Sequence, residues 1–230
     1  MPLTAAQIVT DACQIAKCPG YTAQGGRALN LTLLDLVMHR NLKVNLETSF
    51  VSVPANSSGP FNLESNYLRT YDMFFLVAGE PYFLEPCSLR EIDAEMQSLG
   101  LASYPYEWAS DLSNVPTTGF GLFYIYPQSN NAITLTHRYY LRQTEIVTPE
   151  TSSTIPWFED QDYLIQATAM RLMRITDDDR FGAFEAGCEA LLRKHLMTEG
   201  DEQQVVKSVQ LDPRRFRIKG SLKSTKQDPW

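Results

Sequence analysis

The chain has 230 residues, 43% of them hydrophobic and 20% charged, with a formal net charge of −7. That length holds one large domain or two small ones with a real core, no apolar run approaches the ~18 residues that span a bilayer, and the N-terminus lacks the basic-then-apolar pattern of a secretory leader. An acidic chain is a poor general binder of nucleic acid, and the four scattered cysteines (Cys13, Cys18, Cys87, Cys188) read as reduced intracellular thiols, not as a disulfide framework.

Residues 4–41 read as a helical hairpin. Thr4 followed by Gln7 is a capping-box pattern, and Ile8, Val9, Ala12, Ile15 and Ala16 then share one helical face. Pro19-Gly20 breaks the run and a Gln24-Gly25-Gly26 stretch follows. A second helix then carries Leu29, Leu33, Leu36 and Val37 on its buried stripe.

Residues 42–157 read as mostly β. Leu42, Val44 and Leu46 alternate with polar residues, and Phe50–Val53 continues as a strand into a turn at Pro54–Pro60. Tyr71–Val77 is a strongly apolar strand, and the turn Ala78-Gly79-Glu80-Pro81 leads into Tyr82–Leu84 as a hairpin. Ser88 with Glu91 is a second capping box, opening a short helix to about Leu99. In the next strand Phe120, Leu122, Tyr124 and Tyr126 share a face. In the one after it Ile133, Leu135, His137, Tyr139 and Leu141 face one way, with Thr134, Thr136 and Arg138 opposite.

Residues 160–197 return to helix. Asp160 or Asp162 can cap the run Tyr163–Ile175, and after Asp177-Asp178-Asp179 a last helix places Phe181, Phe184, Cys188, Leu191, Leu192 and His195 along one stripe. The pattern predicts an α+β fold. Residues 1–41 and 158–204 form one antiparallel helical bundle, and 42–157 form an inserted, mostly antiparallel β module with one short helix. Residues 205–230 form an extended C-terminal arm.

That arm has no helical apolar stripe and few core-forming residues. It carries Lys207, Arg214, Arg215, Arg217, Lys219, Lys223 and Lys226 against Asp212 and Asp228, so it is +5 while the rest of the chain is −12. Termini often fray. Phe216 and Trp230, however, give this one apolar anchors that favour docking onto a partner.

Motifs for chemistry are missing. His39, His137 and His195 sit in no zinc-ligand spacing. Cys13 and Cys18 lack further ligands nearby in sequence, and Cys188 and His195 are two helical turns apart, separated by roughly 10 Å of rise. Asp177, Asp178 and Asp179, with Asp35 or Glu185, are the strongest candidates for a hard cation; as an N-cap that complements a helix dipole they need no metal, and that reading is preferred. Gly25-Gly26 and Gly119-Phe120-Gly121 make no phosphate loop, and no nucleophile elbow occurs. Neither catalytic residues, nor a metal, nor a cofactor is expected. The aromatics Tyr104, Tyr106, Trp108, Phe123, Tyr124 and Tyr126 are dense, and those not needed for the β core are candidate interface residues.

Four stretches, taken in order, carry a likeness. They are AAQIVTDACQIAKCPGYTAQGGRALNLTLLDLV, YLRTYDMFFLVAGEPYFLEPCSLREIDAEM, LFYIYPQSNNAITLTHRYYLR and IPWFEDQDYLIQATAMRLMRITDDDRFGAFEAGCEALL, together covering about residues 4–200. In this order the chain resembles the head-to-tail adaptors of short-tailed bacteriophages, the tail tubular protein A or tail accessory factor type. The resemblance implies a structural virion protein, assembled in the host cytoplasm. Its copies would form a homo-oligomeric ring, typically of twelve, below the portal protein. The β module would face the tail nozzle or tube protein, and the C-terminal arm would reach the portal. Genomic DNA would pass through the lumen without specific binding, and no membrane is involved. On this chain the arm contacts would be Leu211, Arg214, Arg215, Phe216, Arg217, Lys219 and Trp230. Subunit or nozzle contacts would come from Tyr104, Tyr106, Trp108, Phe123, Tyr124 and Tyr126, and lumen-facing acids from Asp35, Asp177, Asp178 and Asp179. The alternatives are another tail or baseplate component whose β module binds a receptor or glycan, and a small metal-dependent nuclease or hydrolase built on Asp177–Asp179.

Overall fold

A computed structural model describes residues 2–96, 101–102, 104–113 and 115–199 of a mixed α+β chain. In chain order the elements are α1 (Ala5–Ile15), α2 (Thr22–His39), a 3-10 turn (Lys43–Asn45), β1 (Leu46–Val53), β2 (Phe61–Asn62), β3 (Tyr67–Val77), β4 (Glu80–Phe83), β5 (Glu85–Pro86) and α3 (Leu89–Met96). They continue with β6 (Leu101–Ala102), β7 (Glu107–Asp111), α4 (Val115–Thr118), β8 (Leu122–Tyr126), β9 (Gln128–Ser129), β10 (Ile133–Leu141), α5 (Gln161–Thr176) and α6 (Phe181–Glu199).

Local chemistry sets the helix starts. Thr4 Oγ1 accepts from the Gln7 N–H at 3.3 Å while Gln7 Oε1 accepts from the Thr4 N–H at 2.9 Å, so the predicted capping box opens α1. Ser88 and Glu91 make the same reciprocal pair ahead of α3. Asp160, not Asp162, caps α5, its Oδ1 accepting from the Tyr163 N–H at 2.9 Å.

The helices from both ends of the chain share one apolar cluster. Ile8, Val9 and Ala12 of α1, Leu29, Leu33 and Leu36 of α2, Leu164, Ala167 and Leu172 of α5, and Cys188 and Leu192 of α6 meet there with Leu42 and Phe158. The central member is α5, which packs on α1, α2 and α6 and is buried on most of its circumference for that reason.

Two local expectations change in the fold. Val44 lies in a 3-10 turn instead of a strand and is exposed, while the extended Leu42 just before that turn is buried under the helices. Gly25 and Gly26 lie inside α2, not in a loop before it. At Gly25 a Cβ would stand 2.9 Å from Val9 Cγ1 and 3.1 Å from Cys13 Sγ, so the missing side chain is what lets α1 and α2 approach. Gly25→Ala therefore destabilises by about 1–2 kcal/mol, overpacking outweighing the ~1 kcal/mol that alanine gains in a helix. At Gly26 the nearest atom is the carboxylate end of the long Glu150 side chain at 2.6 Å, with Pro149 Cδ next at 3.3 Å, so Gly26→Ala costs less than Gly25→Ala. Paired urea-denaturation curves check the contrast.

The β elements form a two-layer sandwich. One sheet has the order β1-β10-β3-β4, antiparallel throughout. The other has the order β2-β8-β7-β5, parallel only between β7 and β5, and a short β6-β9 pair is also parallel. Val53, Met73, Phe75, Leu84 and Leu135 of the first layer meet Leu63, Trp108, Phe123 and Ile125 of the second. On β8 the face turned to this core carries Phe123 and Ile125, while Tyr124 and Tyr126, on the other face, pack with Ile92 and Ala109 around α3. Register shifts at Arg138/Tyr139 and Tyr140/Leu141 let both Tyr139 and Tyr140 be buried, where strict alternation would expose one.

Arg69 joins the two cores. Its guanidinium donates to the carbonyls of Met38 (3.3 Å) and Arg40 (2.7 Å) at the end of α2 and to Asn41 Oδ1 (2.8 Å), and it lies 4.7 Å from the Tyr140 ring centroid. A cation there meets the partial negative charge of the helix C-terminus.

Candidate interaction surfaces

The outer face of the four-stranded sheet is apolar and open. Pairing register sets Phe50, Thr136, Phe74 and Phe83 side by side across all four strands, and Phe50, Leu76 and Phe83 are 71%, 60% and 55% exposed. The Phe74 and Phe83 rings are 5.3 Å apart. Arg138 lies 5.2 Å from the Phe74 ring and 5.3 Å from Tyr71 while its guanidinium pairs with Asp72, so the charge on this face is internally matched. The cause is local to β3. Met73 and Phe75 point into the sandwich, and the alternate positions Phe74 and Leu76 are apolar as well.

This face runs out into the β3–β4 hairpin. Ala78 (φ 52°) and Gly79 (φ 90°) form its two-residue tip, both left-handed as a tight hairpin turn requires. From Phe74 to Phe83 the one charged residue is Glu80. Pro81 on the edge strand withholds an N–H and so discourages pairing with further strands.

The second open surface is a groove of about 590 Å³ floored by α5 and flanked by α2 and α6. Leu31, Met170, Ile175 and Phe181 supply apolar lining, and Arg27, Arg174 and Glu185 line it as charged groups beside the Asp35–Arg171 pair. A further hollow of about 380 Å³ adjoins it through Asp35, Met170, Arg171 and Glu185. Arg171 is committed, pairing with Asp35 and donating from Nε to Thr32 Oγ1 at 3.1 Å. Burial, followed by the like charge of Arg174, lowers Arg171 from the ordinary guanidinium value.

The aromatic contact candidates separate into core and surface. Phe123, Trp108 and Tyr126 are buried within the protomer, so as contact residues they are corrected to core: β8 and β7 form the second layer of the sandwich, and these rings fill it or the α3 cluster. Tyr124 is partly buried against α3. Tyr104 stacks between Phe75 (5.5 Å) and Tyr82 (6.3 Å). Tyr106 remains exposed at 51%, edge-on to Tyr126. Sequence reasoning missed Phe50, Phe74, Leu76 and Phe83; the available signal was a strand apolar at both parities followed by a hairpin with a single charge.

The aspartate run is divided among separate positions, and among the described residues no side-chain cap of α6 is seen from it. Asp177 ends α5 in the left-handed region (φ 53°). Asp178 accepts from the Arg180 N–H at 2.9 Å and pairs with its guanidinium, which holds the carboxyl down at about 2, and Arg180 also donates to the Ile15 carbonyl at 3.2 Å. Asp179 follows in the turn before α6. Asp35 is the partner of Arg171. Leu211, Arg214, Arg215, Phe216, Arg217, Lys219 and Trp230 lie outside the described residues.

Buried titratable groups are held in their neutral forms. His137 is buried, its Nε2 hydrogen-bonded with Thr70 Oγ1 at 2.9 Å and its ring stacked on Tyr139 at 5.1 Å; burial depresses it to about 4, with Asp72 pulling the other way. None of Cys13, Cys18, Cys87 and Cys188 is in a disulfide, and burial raises Cys13 and Cys18 and pushes Cys188 to about 11, Glu185 adding to the last. Such thiols are poor nucleophiles. Among the described residues no group of three or more His, Cys, Asp or Glu side chains is arranged to hold a metal ion, and no helix is long and apolar enough to cross a membrane. No protein-family model and no curated protein matches this chain.

Proposed function

We propose that this chain is a structural virion protein, the head-to-tail adaptor of a short-tailed bacteriophage. It forms a ring between the portal and the tail tube or nozzle and provides a channel for DNA. The observation that carries the reading is the open apolar sheet face with its projecting hairpin, because a contiguous exposed patch of this kind marks a protein–protein contact. The resemblance of the four ordered stretches supplies the identity of the assembly.

In this reading the helices from both chain ends form the bundle that packs side by side around the ring, and the +5 segment at 205–230 is the portal-binding arm. A ring multiplies each weak arm contact into firm attachment, and an arm that orders only on docking holds back premature assembly. A body carrying −12 repels a passing duplex instead of clamping its phosphates.

Size exclusion with light scattering, on the chain alone and mixed with the portal ring of the same genome, tests this. One copy is expected to add per portal subunit, and deletion of 205–230 is expected to weaken that binding by about tenfold or more, a loss of at least ~1.4 kcal/mol. A trimeric mass, or binding to cell-surface carbohydrate without binding to the portal, would instead make it another tail or baseplate component.

A further inference from the structure

The two open surfaces are both apolar and are opposite in charge. The hairpin from Phe74 to Phe83 projects Leu76, Ala78 and Pro81 beside one carboxylate, Glu80. The groove has an apolar floor between two flanking helices. Asp35 is taken by Arg171, so Arg27 and Arg174 stand against Glu185 and leave one positive charge in excess. No hairpin residue lines the groove within the same chain, so the two surfaces are free to meet only between copies.

We propose that the β3–β4 hairpin of one copy inserts into the α2–α5–α6 groove of a second copy, with Glu80 meeting Arg27 and Arg174. Leu76 and Pro81 cover Leu31 and Ile175, which are 51% and 60% exposed in the single chain. Pro81 argues for insertion by side chains over strand addition, because it removes an edge donor. The contact joins two different surfaces, so it is head-to-tail and propagates until the rotation closes a ring. It deepens the ring reading, on which it rests for the choice of a second copy as occupant.

The test is covalent capture with the full chain. A photo-reactive benzoylphenylalanine at position 78 is expected to yield a dimer on denaturing gels. The attached peptides should map to α2 around Leu31 and to α5 around Met170 and Ile175. Ile175→Glu in the groove, or Leu76→Asp on the hairpin, should each cut the dimer yield about tenfold, the effect of losing ~1.4 kcal/mol of contact. Both positions are exposed, so unchanged thermal melts will show that the fold survives. A photo-labelled Glu80→Arg copy should fail with the wild type and recover with a partner carrying Arg27→Glu and Arg174→Glu. Absence of a dimer, attachment outside the groove, or a yield indifferent to these changes would overturn the proposal. Portal addition is read separately by mass, so either reading can fail while the other stands.

Discussion

Phe123→Ala is expected to lower the stability of the chain by about 3–5 kcal/mol. Phe123 is fully buried between the two sheets, its ring 5.3 Å from Phe61 and 6.4 Å from His137, in a cluster with Trp108, Ile125 and Leu135. The neighbours belong to paired strands and cannot close around the void, so both the transfer and the cavity contributions are lost. For a chain of this size that corresponds to a fall in Tm of roughly 10 °C. Phe83→Ala is the matched control. Phe83 is 55% exposed and loses mainly its ring contact with Phe74, so its cost stays below about 1 kcal/mol. Thermal melts of the two variants separate core from surface. Equal costs would mean that the outer face is covered in the folded chain.

Stability is expected to fall as pH drops from about 6.5 to about 4, with His137 contributing roughly 3 kcal/mol to the loss. The sign follows from proton uptake. Folded, His137 titrates at about 4 because burial among Tyr67, Tyr139 and Phe123 opposes a charge, Asp72 offsetting only part of that. Unfolded, it titrates near the ordinary imidazole value of ~6.5. Between those values the unfolded chain binds the proton and the folded chain does not, so acid favours unfolding; above ~6.5 the contribution is fully present. His137→Gln removes the group. The wild-type urea midpoint should therefore fall more steeply than the variant's as pH drops through this range, while carboxylates and the other histidines act alike in both. Parallel profiles would show that His137 accepts its proton without unfolding.

Much of the local structure was legible because its causes lie within a few residues. Thr4 with Gln7 and Ser88 with Glu91 satisfy exposed N–H groups across one helical turn. Ala78-Gly79 fits the hairpin turn because Gly79 tolerates a positive φ. Leu42 and Val44 misled, because an alternation of three residues does not distinguish a strand from a tight turn preceded by one residue, Leu42, drawn under a distant helix cluster. Gly25-Gly26 misled for a different reason. A glycine pair marks a loop or a close helix approach equally well, and Val9 and Cys13, which decide between them, belong to another helix.

Sequence alone determined the mixed α+β character, the capped starts of α1 and α3, the apolar β3 strand with its hairpin, and the segregation of positive charge into residues 205–230. These depend on period, capping chemistry and composition, all of which act over short stretches of chain. Tertiary structure decided which face of each strand is covered. A period of two places Phe123 with Ile125 and Phe74 with Leu76, yet it is the packing of the two sheets on one side only of each that buries the former pair and leaves the latter on the outer face. The groove beside α5 likewise exists only because α2 and α6 flank that helix on separate sides, a matter of packing between helices more than a hundred residues apart in the chain.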